Sequence, residues 1–204
     1  METQPTTTEA VEKYARFCND YCERAEKILQ NQEDTSPITA MALHVLEELR
    51  AFRDGAEGWE YICVAAMRLA DMLTDHPRLA LQLKDAALER LQKVEHLLDN
   101  EDRELRDDVR RQADVLRANI LAADEGRWAD IITSGHLKHD PVEWTKAYED
   151  VIDEAEQEAY SYLKDVPRGM GFCFAYWAEK RKALAKRGIE WNSPSAMNPG
   201  VLFD

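Results

Sequence analysis

Apolar residues recur along this chain at steps of three and four, and two-residue alternation is all but absent, so the sequence predicts helices nearly throughout. The first runs from about Thr8 to Gln30, with Thr6 and Glu9 at capping-box spacing and Tyr14, Phe17, Tyr21, Ala25 and Ile28 on one stripe. Ser36-Pro37 supplies a cap followed by proline at the first helical position. The stripe that follows is Met41, Val45, Leu46, Leu49 and Phe52, stopping around Gly55 and Gly58. A third helix, from Trp59 to about Leu73, is apolar over more of its circumference and is expected to be the most buried; His76-Pro77 closes it. Leu83, Ala87, Leu91, Val94 and Leu98 mark a fourth, and Leu105, Val109, Ala113, Leu116 and Ile120 a fifth. The short joint at Asp99-Asn100 makes these two an antiparallel hairpin.

From Gly126 to Asp140 the pattern is less regular, with a short segment around Trp128 to Ile132. Asp140-Pro141-Val142-Glu143 then opens a helix carrying Tyr148, Ile152, Ala155, Ala159 and Tyr162. Its acids, Glu149, Asp150, Asp153, Glu154, Glu156 and Glu158, read as a solvated outer face. The last helix begins near Gly169 or Gly171 and ends at Gly188, a residue suited to the left-handed position after a helix. The expected fold is all-α: an antiparallel helical bundle or short helical array of about seven to eight helices. One domain is expected over 1–204, with residues 1–7 disordered and 189–204 forming an irregular packed tail.

The formal net charge of −14 argues against a surface that binds nucleic acid as a whole. No apolar run approaches the roughly 18 residues of a membrane span, and the polar, acidic N-terminus has no signal-peptide pattern. A cytoplasmic protein is expected, its four cysteines reduced.

Few residues suggest chemistry. Cys18 and Cys22 share a helix face at a spacing that suits half a zinc site, but Cys63 and Cys173 are isolated, so core packing is the better reading. His136, His139 and Asp140 are the weak candidates for a metal or for a base oriented by a carboxylate. Against that, the segment is glycine-flanked and Asp140 has a competing duty as helix cap; His44, His76 and His96 are solitary. No histidine has a glutamate three residues before it, which excludes the di-iron pattern, and phosphate-cradling loops are absent. Arg168-Gly169-Met170-Gly171 ahead of a helix has an ordinary structural reading. No cofactor is implied.

The strongest local signal is a charge reversal. Between Lys164 and Arg187 seven basic residues face two acids, Asp165 and Glu179, among Phe172, Phe174, Tyr176 and Trp177. The plain reading is a core helix whose cations suit its own C-terminal dipole and neutralise acidic neighbours. The functional reading is a contact surface, with Arg168, Lys180, Arg181, Lys186, Arg187 and Trp191 as partner-binding candidates and the acidic helix around Asp153 as a second surface. Trp191, Met197, Val201, Leu202 and Phe203 are too apolar for a disordered tail and should pack in a groove, on this chain or on a second copy.

Gly169-Met170-Gly171-Phe172-Cys173, Tyr176-Trp177, Gly188-Ile189-Glu190-Trp191, Ser193-Pro194 and Met197-Asn198-Pro199 through Phe203-Asp204 resemble the C-terminal segment of small bacterial proteins of the Bacteroidetes type. The resemblance implies a bacterial cytoplasmic protein and carries no activity and no site residue. Taken together, the expectation is a protein–protein interaction or regulatory module with an unknown protein partner, a homodimer included. The alternatives are an enzyme or ligand-binding protein with an inter-helix pocket, and a polyanion binder acting through the basic C-terminal helix.

Overall fold

The computed structural model describes residues 7–51, 57–133, 135 and 137–203. Thr6, Phe52, Gly55 and His136, which figure in the expectations above, lie outside the described residues, as does most of the stretch expected to be disordered; Thr7 already belongs to the first helix. Among the described residues there are nine α-helices and three 3₁₀ turns, and no strand, so the chain is an all-α helical array. The helices are α1 (Thr7–Gln30), α2 (Ser36–Ala51), α3 (Trp59–Met72), α4 (Pro77–Lys93), α5 (Asn100–Asp124), α6 (Lys146–Glu149), α7 (Ile152–Tyr162), α8 (Phe172–Lys186) and α9 (Pro194–Met197). None is long and apolar enough to cross a membrane among the described residues.

The chain divides into two compact units. The first comprises residues 1–27, 37–74 and 79–114. Here Tyr14 donates to Glu48 (2.6 Å) and Arg68 to Glu26 (2.5 Å), tying α1 to α2 and α3. Lys84 on α4 reaches Asp71 on α3 (2.6 Å) and Gln112 on α5 (2.7 Å). As the pattern requires, α3 buries Ile62, Cys63, Ala65, Ala66, Met67, Leu69 and Ala70. Cys18, Cys22 and Cys63 are buried free thiols. Burial is the main cause that raises all three above an ordinary thiol, Cys18 and Cys63 to about 12, which leaves them protonated packing groups. The fourth helix ends earlier than its stripe: after Lys93 the chain passes through a 3₁₀ turn, Glu95–Leu97, which still delivers Val94 and Leu98 to a small cluster with Leu91 and Trp59.

The second unit comprises residues 28–36, 75–78 and 115–204. Its expected long helix from Asp140 is broken into three pieces. Asp140 caps a 3₁₀ turn, Pro141–Trp144, and Thr145 in extended conformation then interrupts the helix. The Thr145 hydroxyl donates to the Val142 carbonyl and accepts from the Tyr148 amide, so a local side-chain cap restarts the chain as α6. A second break at Val151 precedes α7. Contacts between α7 and α8 pair Tyr160 with Phe172, Glu156 with Tyr176 and Lys180, and Glu154 with Arg187. One series descends as the other ascends, so the two helices form an antiparallel hairpin. At its far end Gly188 takes φ +79°, the left-handed conformation expected of it, and the Ile189 amide returns to the Leu184 carbonyl (3.1 Å).

The core of this unit is Tyr148, Ile152, Ala155, Ala183, Leu184 and Trp191, with Val142, Val151, Trp177 and Ile189 packed against it. Leu184 is wholly enclosed there, and its replacement by alanine leaves a cavity that the surrounding helices fill only in part. Leu184→Ala is expected to destabilise the protein by about 2–5 kcal/mol in urea unfolding followed by circular dichroism.

Candidate interaction surface and the buried network beneath it

Lys180 sits on the inward face of α8 and is only 4% exposed. An ammonium in such a place must be paired, because isolated charge burial costs far more than packing returns. Its Nζ donates to Asp75 Oδ2 (2.9 Å) and lies 3.5 Å from Glu156 Oε1. Each carboxylate also takes a tyrosine hydroxyl: Tyr148 donates to Asp75 Oδ1 (2.5 Å) and Tyr176 to Glu156 Oε1. The remaining oxygen of Glu156 accepts from the backbone amide and hydroxyl of Thr35. The rings of Tyr148, Tyr176 and Trp191 surround the ammonium at 5.7, 5.6 and 5.4 Å. Among the described residues no buried side-chain nitrogen or oxygen is left without a partner.

The charges set each other's titration. Burial alone would discharge Lys180, but the carboxylates of Asp75 and Glu156 outweigh it and raise the ammonium above its ordinary value. Burial likewise opposes ionisation of Asp75, and Lys180 with the Tyr148 hydroxyl reverses that, so Asp75 is held below the usual carboxylate range. Tyr148 and Tyr176 are both raised well above ordinary tyrosine, first by burial and then by the carboxylates they serve. All the network's polar atoms are spoken for, so it acts as a clamp between α8, α7 and the segment 75–78.

That segment fastens further parts of the unit. His76, solitary in the sequence, meets Asp153 of α7 at 2.9 Å. Arg78 donates to the Trp144 carbonyl (2.8 Å) and Asp124 (2.5 Å), and its backbone amide donates to Glu149 (3.1 Å). Glu156 departs from the solvated face expected of the acidic helix: it is 1% exposed, at a position in line with Ile152 and Ala159. Of its neighbours, Asp153 binds His76, and Glu158 takes Lys186 and Arg187.

The irregular tail is strapped to the loop before α6. Trp191 Nε1 donates to Glu143 (2.7 Å), the Asn192 backbone and side chain both donate to Asp140 Oδ2 (2.7 and 2.9 Å), and Asn198 bonds the Lys138 backbone in both directions (2.8 Å each). Asp140 is therefore a buried cap and tail anchor, and exposed His139 faces Glu143 at 3.3 Å. No group of three or more His, Cys, Asp or Glu side chains among the described residues is placed to hold a metal ion.

The six residues expected at a contact surface separate in space. Lys180 and Trp191 are buried in the network. Lys186 and Arg187 are bound to Glu158. Arg168 is exposed, its guanidinium 4.1 Å over Phe172 and 5.2 Å from Tyr160, and Arg181 is exposed on α8. α8 and the tail also carry an apolar face that charge alone did not reveal, on a different side of the helix from Phe172, on which Arg168 stacks. Phe174 meets Trp177 edge to face (5.5 Å, 82°), and Trp177 meets Phe203 of the tail in the same way (5.2 Å, 88°). Leu202, next to Phe203 in the chain, is 96% exposed, and Met170, ahead of α8, is 91% exposed. Phe174, Trp177 and Arg181 follow each other at steps of three and four, one line along α8.

Comparison with protein-family models, with curated proteins and with solved structures gives no match to this chain.

Lys180→Met removes the cation shared by the buried Glu156 and the partly buried Asp75, and a loss of about 3–5 kcal/mol is expected in denaturant unfolding. Adding Asp75→Asn and Glu156→Gln to that variant should restore much of it, because no uncompensated charge then remains. A second expectation concerns pH. Burial lowers the affinity of His76 for its proton, but the Asp153 hydrogen bond and charge, helped by Asp75 and Glu149, raise it above the ordinary 6.5. His139 is raised by its hydrogen bond to Glu143. The stabilisation these ion pairs supply is complete below the unfolded-state value and is lost as pH climbs through the folded-state value. The unfolding midpoint should fall between about pH 6 and pH 8, and His76→Gln should flatten that slope.

Proposed function

We propose that this chain is a protein-interaction module of the bacterial cytoplasm, which meets a protein partner through the face of α8 and the tail where Phe174, Trp177 and Phe203 meet. The observation that supports this reading is the continuity of that face. Single exposed apolar residues are ordinary, but Phe174 and Phe203 both in contact with Trp177, with Leu202 next to Phe203 left almost wholly in water, are a patch of the kind that binding covers. Aromatic side chains and methionine are also the types enriched at the centres of protein interfaces.

The alternative in which the basic helix grips a polyanion draws less support. Lys180 is internal, Lys182 pairs with Glu179, and Lys186 and Arg187 share Glu158, so most of the local positive charge is already answered. The arrangement favours shape and apolar contact over long-range attraction.

A photo-crosslinking amino acid at Leu202, in cells carrying the chain, is expected to give discrete protein adducts, several-fold weaker after Phe174→Ser. The same probe at exposed Ile132 is expected to give none. An adduct of doubled chain mass would identify the partner as a second copy. Equal yields at both positions, or none at Leu202, would remove this reading.

A further inference from the structure

Two pieces of chain make the apolar face, and one of them is not a helix. Phe174 and Trp177 are carried by α8, whereas Leu202 and Phe203 arrive on residues 199–203, which lie outside every helix. A single edge-to-face ring contact does not offset the conformational freedom that five ordered residues give up, so something besides Trp177 must place them. Such a hold lies immediately before them in the carboxamide of Asn198, a residue only 8% exposed. Its Oδ1 accepts from the Lys138 amide (2.8 Å), and its Nδ2 donates to the carbonyls of Lys138 (2.8 Å) and Pro194 (2.9 Å), which occupies the oxygen and both N–H groups. From that anchor Asn198-Pro199-Gly200-Val201 makes a type II turn. Proline presets the backbone at its second position, Gly200 takes φ +95° at the third, and the Val201 amide donates to the Asn198 carbonyl (3.2 Å).

We infer that Asn198 is the positioning residue of the interaction face: its carboxamide, through the turn it anchors, sets Phe203 on Trp177 and leaves Leu202 in water for the partner. This rests on the reading of the face as a protein-interaction surface and adds the residue that completes it. Asn198 stands five residues before Phe203 and acts through the backbone between them. Pairing with an amide and a carbonyl of the same residue demands one orientation of the carboxamide, so the direction in which the chain leaves Asn198 is set before any ring is met. Pro199 then narrows the freedom still to be lost. Aspartate has the shape of asparagine but would present an oxygen to two carbonyls where Nδ2 now donates, so the exchange breaks the anchor without changing its size. A Cβ added at Gly200 meets nothing within 4 Å, so alanine there strains the turn and touches nothing else.

The test uses the full chain in two forms, one with 4-fluorophenylalanine at position 203 for fluorine NMR, the other with the Leu202 photo-crosslinker in cells. In the parent the fluorine resonance is expected away from its place in the urea-unfolded chain, because the Trp177 indole lies beside it. Asn198→Asp and Gly200→Ala should each move it most of the way back. Leu202 adducts should fall several-fold in both variants while the helical circular dichroism stays that of the parent. A merely structural role would shift the unfolding transition and leave the adduct yield per folded chain unchanged. An unmoved resonance in either variant would overturn the assignment, since Phe203 would then keep its place without the anchored turn. Loss of the helical signal in Asn198→Asp would overturn it too, by making the carboxamide a determinant of the whole fold. Resonances that move while adducts hold the parent's yield would remove the assignment and leave the face standing on α8. Absence of adducts in the parent would remove the interaction surface itself, and the assignment with it.

Discussion

The second unit depends on one buried ammonium. Lys180 joins Asp75 and Glu156, residues that stand more than a hundred and some two dozen positions away from it in the chain, with Lys180 and Glu156 buried and Asp75 partly so. Its energetic value lies less in net stabilisation than in what it forbids. Any packing of α8 that turned Lys180 outward would strand two carboxylates among apolar side chains, and any slip of α7 would strand the ammonium. The tyrosine hydroxyls complete the arrangement by filling lone pairs that the ammonium cannot reach. Trp191 lies over the same group, so the tail takes its place from the network as well as from its own hydrogen bonds.

This order of dependence runs from the inside outward. The network sets α8 against α7 and the core, partly buried Trp177 packs against that core, and its ring meets Phe174 and Phe203. Phe203 reaches Trp177 because Asp140, Glu143 and the Lys138 backbone hold the tail's first part. A surface used for recognition is better served by such rigid support than by side chains free to collapse on one another, since ordering costs are met during folding instead of during binding.

Much of this was legible from spacing. The helices of the first half, the start at Ser36-Pro37, the burial of Cys18, Cys22 and Cys63 and the left-handed Gly188 all follow from local pattern and local chemistry. The breaks near residue 145 did not, because a threonine that caps a restart and a threonine on a helix flank have the same neighbours in sequence. The charge reversal between Lys164 and Arg187 was visible, but its meaning was not: net charge counts residues without their partners, and Glu158 and Glu156 come from another helix. A signal for the network was nonetheless present. Lys180 stands three after Trp177 and four before Leu184, and Glu156 four after Ile152 and three before Ala159, so each lies within its helix's apolar line. A charged residue at such a position asks for a buried partner of opposite sign, and the two ask for each other. Asp75, in a short connection with no periodicity, had no comparable signature.

The distribution of sulfur has a practical side. Three of the four thiols are enclosed and held protonated, whereas Cys173 is half-buried on the first turn of α8, next to Phe174 in the chain. Access governs alkylation and burial keeps the other three thiols from the reagent, so a maleimide under mild conditions discriminates in favour of that one position. The native chain thus offers an attachment point for a dye or spin label at the edge of the aromatic face, with no cysteine added or removed.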